Sequence, residues 1–248
     1  MSPPAFALLH GGGQGSWVWD RVIAALTASG ARAIALDIPG CGTRRARETI
    51  ALSVEEVADE LLADIDSAGL SGAVLVGHSQ AGTMLPVLFE RQSGQIGKLI
   101  YVACCAPLPG QSVLDMMGYG RRGENSDEVG WPFDSQWLGK DEQRRAMFCN
   151  DMAGEQARWF LSCLDRDQWP MPVTLAVHWR YDRLAGAPSA YIVCDRDEIL
   201  PPAWQERFAR RLHAQRILRI DAGHQVMISR PEQLAALLLA EARLEQAA

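Results

Sequence analysis

From residue 5 onward, mostly apolar runs of strand length alternate with stretches whose apolar residues recur every third or fourth position. The runs Ala5–Leu9, Ala31–Leu36, Ala73–Val76, Leu99–Cys104, Ala190–Cys194 and Arg216–Ile220 predict strands. Their continuous apolar character, in place of alternation, fits strands covered on both faces of a parallel sheet. Helices are expected near Trp17–Ser29, Val54–Ala68, Gly82–Gln92, Ala203–Leu212 and Glu232–Gln246. Ser53-Val54-Glu55-Glu56 forms a capping box at the start of the second. Pro231 stands in the first turn of the last, where its missing N–H costs nothing. Alternation of this kind with short links implies an α/β fold, a doubly wound open sheet of about six strands flanked by helices.

The alternation breaks between residues 107 and 187. Trp131, Trp137, Trp159, Trp169 and Trp179 fall there, five of the eight tryptophans, with five of the eight methionines. Bulky, adaptable side chains gathered outside the sheet layers point to a helical cap, inserted after the fourth strand, over a pocket mouth. Residues 1–106 and 188–248 then form the core, and 107–187 a cap subdomain of one folding domain. Most of these aromatic residues are expected to pack among themselves within the cap; Trp131, Trp137 and Trp159, with Gln14 from the core, are the candidates for touching a substrate.

The sharpest local signal is Gly77-His78-Ser79-Gln80-Ala81-Gly82, between the run Ala73-Val74-Leu75-Val76 and the stretch Met84-Leu85-Pro86-Val87-Leu88. A strand, a serine among small residues and a helix make the context of a nucleophile elbow, in which the serine takes a positive φ and strand and helix nearly touch. Ala81 stands where glycine is usual, a departure of one methyl. A serine hydroxyl needs a positioned base, and the base needs an orienting group. His224, in Asp221-Ala222-Gly223-His224 after the last strand, is the candidate base. The acid is expected after Tyr191-Ile192-Val193-Cys194: Asp197 first, then Asp195, then Glu198. The backbone N–H groups of Gln80 and of Gly12, in His10-Gly11-Gly12-Gly13-Gln14-Gly15, are the candidate oxyanion donors.

That glycine run has a rival reading. Gly11-x-Gly13-x-x-Ser16 between strand and helix, with Asp37 about 20 residues on, resembles a dinucleotide-binding fingerprint. Ser16 replaces the third glycine, His10 crowds the turn, and Ser79, Asp197 and His224 are left without a role.

Bulk properties narrow the partners. A net charge of −6 over 248 residues disfavours nucleic acid and anionic membranes. The first residues, Met1-Ser2-Pro3-Pro4, show no signal peptide, and no apolar run is long enough to span a bilayer. Six cysteines without a secretion signal are expected to be reduced, in a cytoplasmic protein. No CxxC pair or HExxH occurs, so no metal and no cofactor is expected. Nothing in the chain decides between monomer and homodimer.

With these residues in hand, the chain resembles the α/β-hydrolase fold family, and within it the small plant methyl esterases and hydroxynitrile lyases and their bacterial esterase relatives. The resemblance is carried by His10-Gly11-Gly12 with Trp17-Val18-Trp19, Leu36-Asp37-Ile38-Pro39-Gly40, the serine hexamer, Tyr191 through Asp197, and Gly223-His224. It implies the order Ser79…Asp197…His224 as a catalytic triad, while the Trp- and Met-rich cap suits a small or medium, partly aromatic ester as substrate. The lyases carry a hydroxyl residue at the position of Gly11 and a lysine at that of Gln225; this chain has neither, so hydrolysis is favoured. Gln14 replaces a common histidine and Gln80 a usual leucine. Lactone or C–C chemistry, cofactor-independent oxygenation, and a ligand receptor that keeps the triad are the alternatives the resemblance leaves.

Overall fold

The computed structural model describes residues 3–92, 94–132, 139–164 and 166–244. Six strands form one sheet: β1 (Ala5–Leu9), β2 (Arg32–Leu36), β3 (Ala73–His78), β4 (Ile96–Val102), β5 (Ser189–Cys194) and β6 (Arg216–Ile220). Their order is β2-β1-β3-β4-β5-β6, and every neighbouring pair is parallel. All carboxyl ends therefore lie along one rim. The chain reverses its direction of winding between β1 and β3, and loops leaving such a switch point form a crevice.

Helices cover both faces. α1 (Asp20–Ala28), the short α9 (Val226–Ser229) and α10 (Pro231–Leu244) bury Leu26, Val226, Leu234 and Leu238 against Phe6, Leu8 and Val76. α2 (Val54–Ser67), α3 (Met84–Arg91) and α8 (Pro202–Arg211) bury Leu61, Leu85 and Phe208 against Leu9, Leu75 and Tyr101. The odd and even positions of one strand thus feed opposite cores, which is why the inner strands read as largely apolar runs. The capping box at Ser53 forms as expected, with Glu56 donating its N–H to Ser53 Oγ at 3.2 Å and its carboxylate accepting the Ser53 N–H at 2.8 Å.

Residues 107–187 connect β4 to β5 and hold α4 (Val113–Met117), α5 (Lys140–Phe148), α6 (Gly154–Cys163) and α7 (Met171–Thr174). The expectation that their large side chains pack mainly among themselves is not met. Met116, Met147, Trp169 and Trp179 join the cluster that holds Leu9 and Tyr101, and Phe160 joins the one that holds Phe6. Helices of 4 to 10 residues have too little surface to bury such side chains alone, so they use the sheet rim. Among the described residues, no helix is long and apolar enough to cross a membrane.

Candidate active site

β3 ends at His78, and the next residue, Ser79, has a φ of 54°. This left-handed backbone turns the serine out of the sheet into a 3-10 turn, Ser79–Thr83, ahead of α3. The small neighbours are required by contact. A Cβ on Gly77 would lie 2.5 Å from Leu85 Cδ1, and one on Gly11 would lie 2.9 Å from Ser79 Cβ. A Cβ on Gly82 would fall 2.8 Å from Cys104 Cβ and inside the contact radius of the Cys105 carbonyl oxygen. Ala81, the residue that departs from the usual pattern, is fully buried and its methyl is accommodated. Gly82→Ala is expected to destabilise by about 3 kcal/mol, the upper end for overpacking, because a backbone oxygen cannot swing away. The melting temperature should then fall by roughly 6–12 °C for a domain of this size, as calorimetry would show.

Ser79 Oγ lies 2.9 Å from His224 Nε2, and His224 Nδ1 lies 2.6 Å from Asp197 Oδ2. The carboxylate accepts, so Nδ1 carries the proton and Nε2 is left to accept from the serine hydroxyl. His224 and Asp197 are both almost wholly buried. Asp197 has every lone pair engaged: Oδ1 accepts the N–H groups of Ile199 and Leu200 at 2.7 and 2.8 Å, and Oδ2 accepts Gln205 Nε2 at 3.1 Å as well as the imidazole. Of the other two acids considered, Asp195 pairs with Arg219 at 2.6 Å and Glu198 with Arg122 at 3.2 Å, both away from His224.

Two residues that the sequence did not single out hold this line in place. Gln205, buried on α8, also accepts the Cys194 N–H at 2.9 Å and donates to the Leu200 carbonyl at 2.6 Å, fixing the turn that carries Asp197. His78 donates from Nε2 to the His224 carbonyl oxygen at 2.9 Å. Burial, reinforced by the neighbouring His224, pushes the His78 imidazole well below its ordinary pKa, so it acts as a neutral donor. Neither carries a local sequence signal, since a glutamine on a helix and the variable position of a serine turn are unremarkable as text. From the connecting segment, Phe148 meets the His224 ring edge-on with centroids 6.3 Å apart.

The glycine loop after β1 faces the serine. His10 accepts the Ile38 N–H on Nε2 at 3.2 Å, so its Nδ1 proton reaches the Gly11 carbonyl at 2.9 Å. Trp169 Nε1 donates to the same carbonyl at 2.9 Å. Among the described residues the Gly12 N–H has no acceptor. Asp37, the acid of the rival fingerprint, is consumed by structure: it accepts from Ser16 N and Oγ at 2.6 and 3.0 Å and from Thr43 N and Oγ1 at 2.8 and 2.7 Å. Although burial opposes ionisation, these donors hold its carboxyl below the usual range. Both carboxylate oxygens already hold donors of the loop, which speaks against a ribose-binding role for Asp37.

A cavity of about 570 Å³ opens above Ser79, floored by Gly12, Ser79, Gln80 and His224. Val113, Met116, Met147 and Leu200 make its walls apolar, and Gln14 and Trp131 border it. Trp131 is fixed by its Nε1, which donates to the Gly118 carbonyl at 2.8 Å. Trp159 does not reach the cavity. It is 46% exposed on α6 and packs edge-on against Trp17, centroids 5.6 Å apart, because the inward face of α6 is taken by Ala157 and Phe160. Trp137 lies outside the described residues. Gln80 turns its side-chain amide to Thr174 Oγ1 at 3.0 Å. Cys105 also borders the cavity, but burial pushes its thiol up to about 12, which removes it as a rival nucleophile. Among the described residues, no three His, Cys, Asp or Glu side chains stand together as metal ligands.

Comparison with known proteins agrees with this architecture. An esterase of Oryza sativa subsp. japonica, PIR7B, is 38% identical over 108 residues, 43% of this chain and 40% of its own; the chain spans about two fifths of the length of the rice esterases it matches. A carbendazim hydrolyzing esterase from Nocardioides sp. is 27% identical over 95% of this chain and 98% of its own. The crystal structure of a methylesterase from Arabidopsis superposes with a TM-score of 0.75 at 21% identity, covering 97% of this chain and 99% of that one, a likeness of fold. The model of the alpha/beta hydrolase family matches residues 6–237, from the first strand into the last helix, and to that family the chain belongs.

Proposed function

We propose that the protein is a serine carboxylesterase acting on small or medium esters. The observation that carries this reading is the Ser79–His224–Asp197 hydrogen-bonded line, at 2.9 and 2.6 Å, at the floor of the cavity. Ser79 Oγ attacks the ester carbonyl while His224 Nε2 takes its proton. The oxyanion settles against the N–H groups of Gly12 and Gln80, each such donor being worth about 10²–10³ in turnover. Collapse breaks the C–O bond, and His224 returns the proton to the leaving alcohol. Water then attacks the acyl-enzyme, giving its proton to His224, which passes it back to Ser79 as the acid departs. Asp197 holds the imidazole in the tautomer that accepts from serine and offsets its transient charge.

In this reading residues 107–187 act as the cap, supplying apolar walls that exclude water from the acyl group. All six cysteines are unpaired, which supports a reducing, cytoplasmic setting. Hydrolysis is favoured over the lyase reaction because Gly11 has no room for a hydroxyl-bearing side chain beside Ser79, and Gln225 is buried and neutral. A fluorophosphonate ester tests the assignment directly. Peptide mapping should find one phosphonyl group on Ser79, with none in the His224→Ala protein; labelling elsewhere, or undiminished labelling without His224, would refute it.

A further inference from the structure

α5 presents Lys140, Gln143, Arg144, Met147 and Phe148 to the cavity, the i, i+3, i+4, i+7, i+8 stripe of one helix face. Its character changes along its length. The inner end is apolar, with Met147 buried and Phe148 against the His224 ring. Toward the mouth stand Arg144 and then Lys140, about 6 and 12 Å along the axis from Phe148 at 1.5 Å per residue. The carboxylates of α5 lie off this stripe: Asp141 is exposed, and Glu142 caps the helix by accepting the Gly139 N–H at 3.2 Å. Among the described residues that line the cavity there is no Asp or Glu. In a chain of net charge −6, the formal charges that face the cavity among the described residues, Lys140 and Arg144, are both positive.

We propose that the site selects esters that carry a second, remote carboxylate, which Lys140 and Arg144 bind while the apolar wall holds the carbon chain between. This deepens the esterase reading and rests on it. Arg144 offers a planar fork that matches a carboxylate, and Lys140 adds a point charge one turn further out. Both cations and Gln143 also engage other groups, so the substrate anion joins an existing polar mouth. The spacing makes α5 a ruler: a carboxylate roughly one to two helical turns, ~6–12 Å, beyond the reacting groups meets it, and a shorter chain does not.

The test compares mono-p-nitrophenyl esters of succinate, adipate and suberate with their neutral monoamide counterparts, placing the anion on the acyl side. Butyrate esters of 5-hydroxypentanoate and of its amide place it on the alcohol side. On one of the two sides the acidic ester should be preferred at least tenfold in kcat/KM, mainly through KM, with succinate the poorest of its series. In the Lys140→Gln/Arg144→Gln protein the ratio of acidic to neutral ester should fall toward one. A ratio of one in the native protein, or a ratio the double variant keeps, overturns the proposal. Calorimetric titration with suberate gives a readout without turnover: affinity should drop at least tenfold in the double variant, and equal affinity overturns the proposal. Failure of the esterase reading looks different, as neutral esters would then be left intact or be cleaved equally by Ser79→Ala.

Discussion

Ser79→Ala and His224→Ala should each lower ester turnover by about 10⁶, and the double variant should lose no more than either alone. The reason is that the two side chains act as one device. Without the imidazole 2.9 Å away, the hydroxyl keeps its proton and is a poor nucleophile. Without the hydroxyl, the imidazole has nothing to activate in the acylation step. A residual rate of roughly 10³–10⁴ over water should survive in all three proteins, from the oxyanion donors and substrate binding. Steady-state kinetics on p-nitrophenyl butyrate, with KM near the native value, would show the pattern. A double variant markedly slower than both singles would mean that a second nucleophile or base shares the task.

Asp197→Asn should cost about 10⁴ in kcat, more than loss of a simple hydrogen bond, because the amide has no satisfactory orientation. If its NH2 replaces Oδ1, it points at the Ile199 and Leu200 N–H groups, donor against donor. If it replaces Oδ2, it confronts Gln205 Nε2 and forces His224 Nδ1 to accept. The imidazole proton then moves to Nε2, where it can no longer take one from Ser79. Either arrangement leaves buried donors unpaired, at about 1–3 kcal/mol, so the melting temperature should fall together with kcat. Full activity in the Asn variant would show that the carboxylate does not set the tautomer.

Much of this was legible in the sequence, for physical reasons that differ by element. The four inner strands were visible because burial on both faces leaves apolar text, and the order of the triad candidates followed from loops that all leave one rim. The start of β4 was missed: Ile96-Gly97-Lys98 contains a lysine that is buried against Glu241, on the last helix, at 3.2 Å. A partner 143 residues away leaves no local trace. Gln205 was invisible for a different reason: its partners Cys194, Asp197 and Leu200 lie within 11 residues, but a glutamine on a helix does not show which backbone groups it meets. Trp159 was assigned to the pocket on composition, which counts aromatic residues without saying which side of a helix they occupy. The α5 stripe had a readable spacing, but a run as polar as Lys140-Asp141-Glu142-Gln143-Arg144-Arg145 hid it.

Residues 167–174 belong to the connecting segment by position but to the core by attachment. Asp167 takes Trp17 Nε1 at 2.9 Å and the Gly42 N–H at 2.8 Å, Trp169 holds the Gly11 carbonyl, and Thr174 holds Gln80. Anyone grafting a foreign lid onto this scaffold to change its substrate should therefore splice upstream of Asp167, leaving this octapeptide native. A transplant running through to residue 187 would remove the clasps on both flanks of Ser79, and a dead chimera would say nothing about the grafted segment's own specificity.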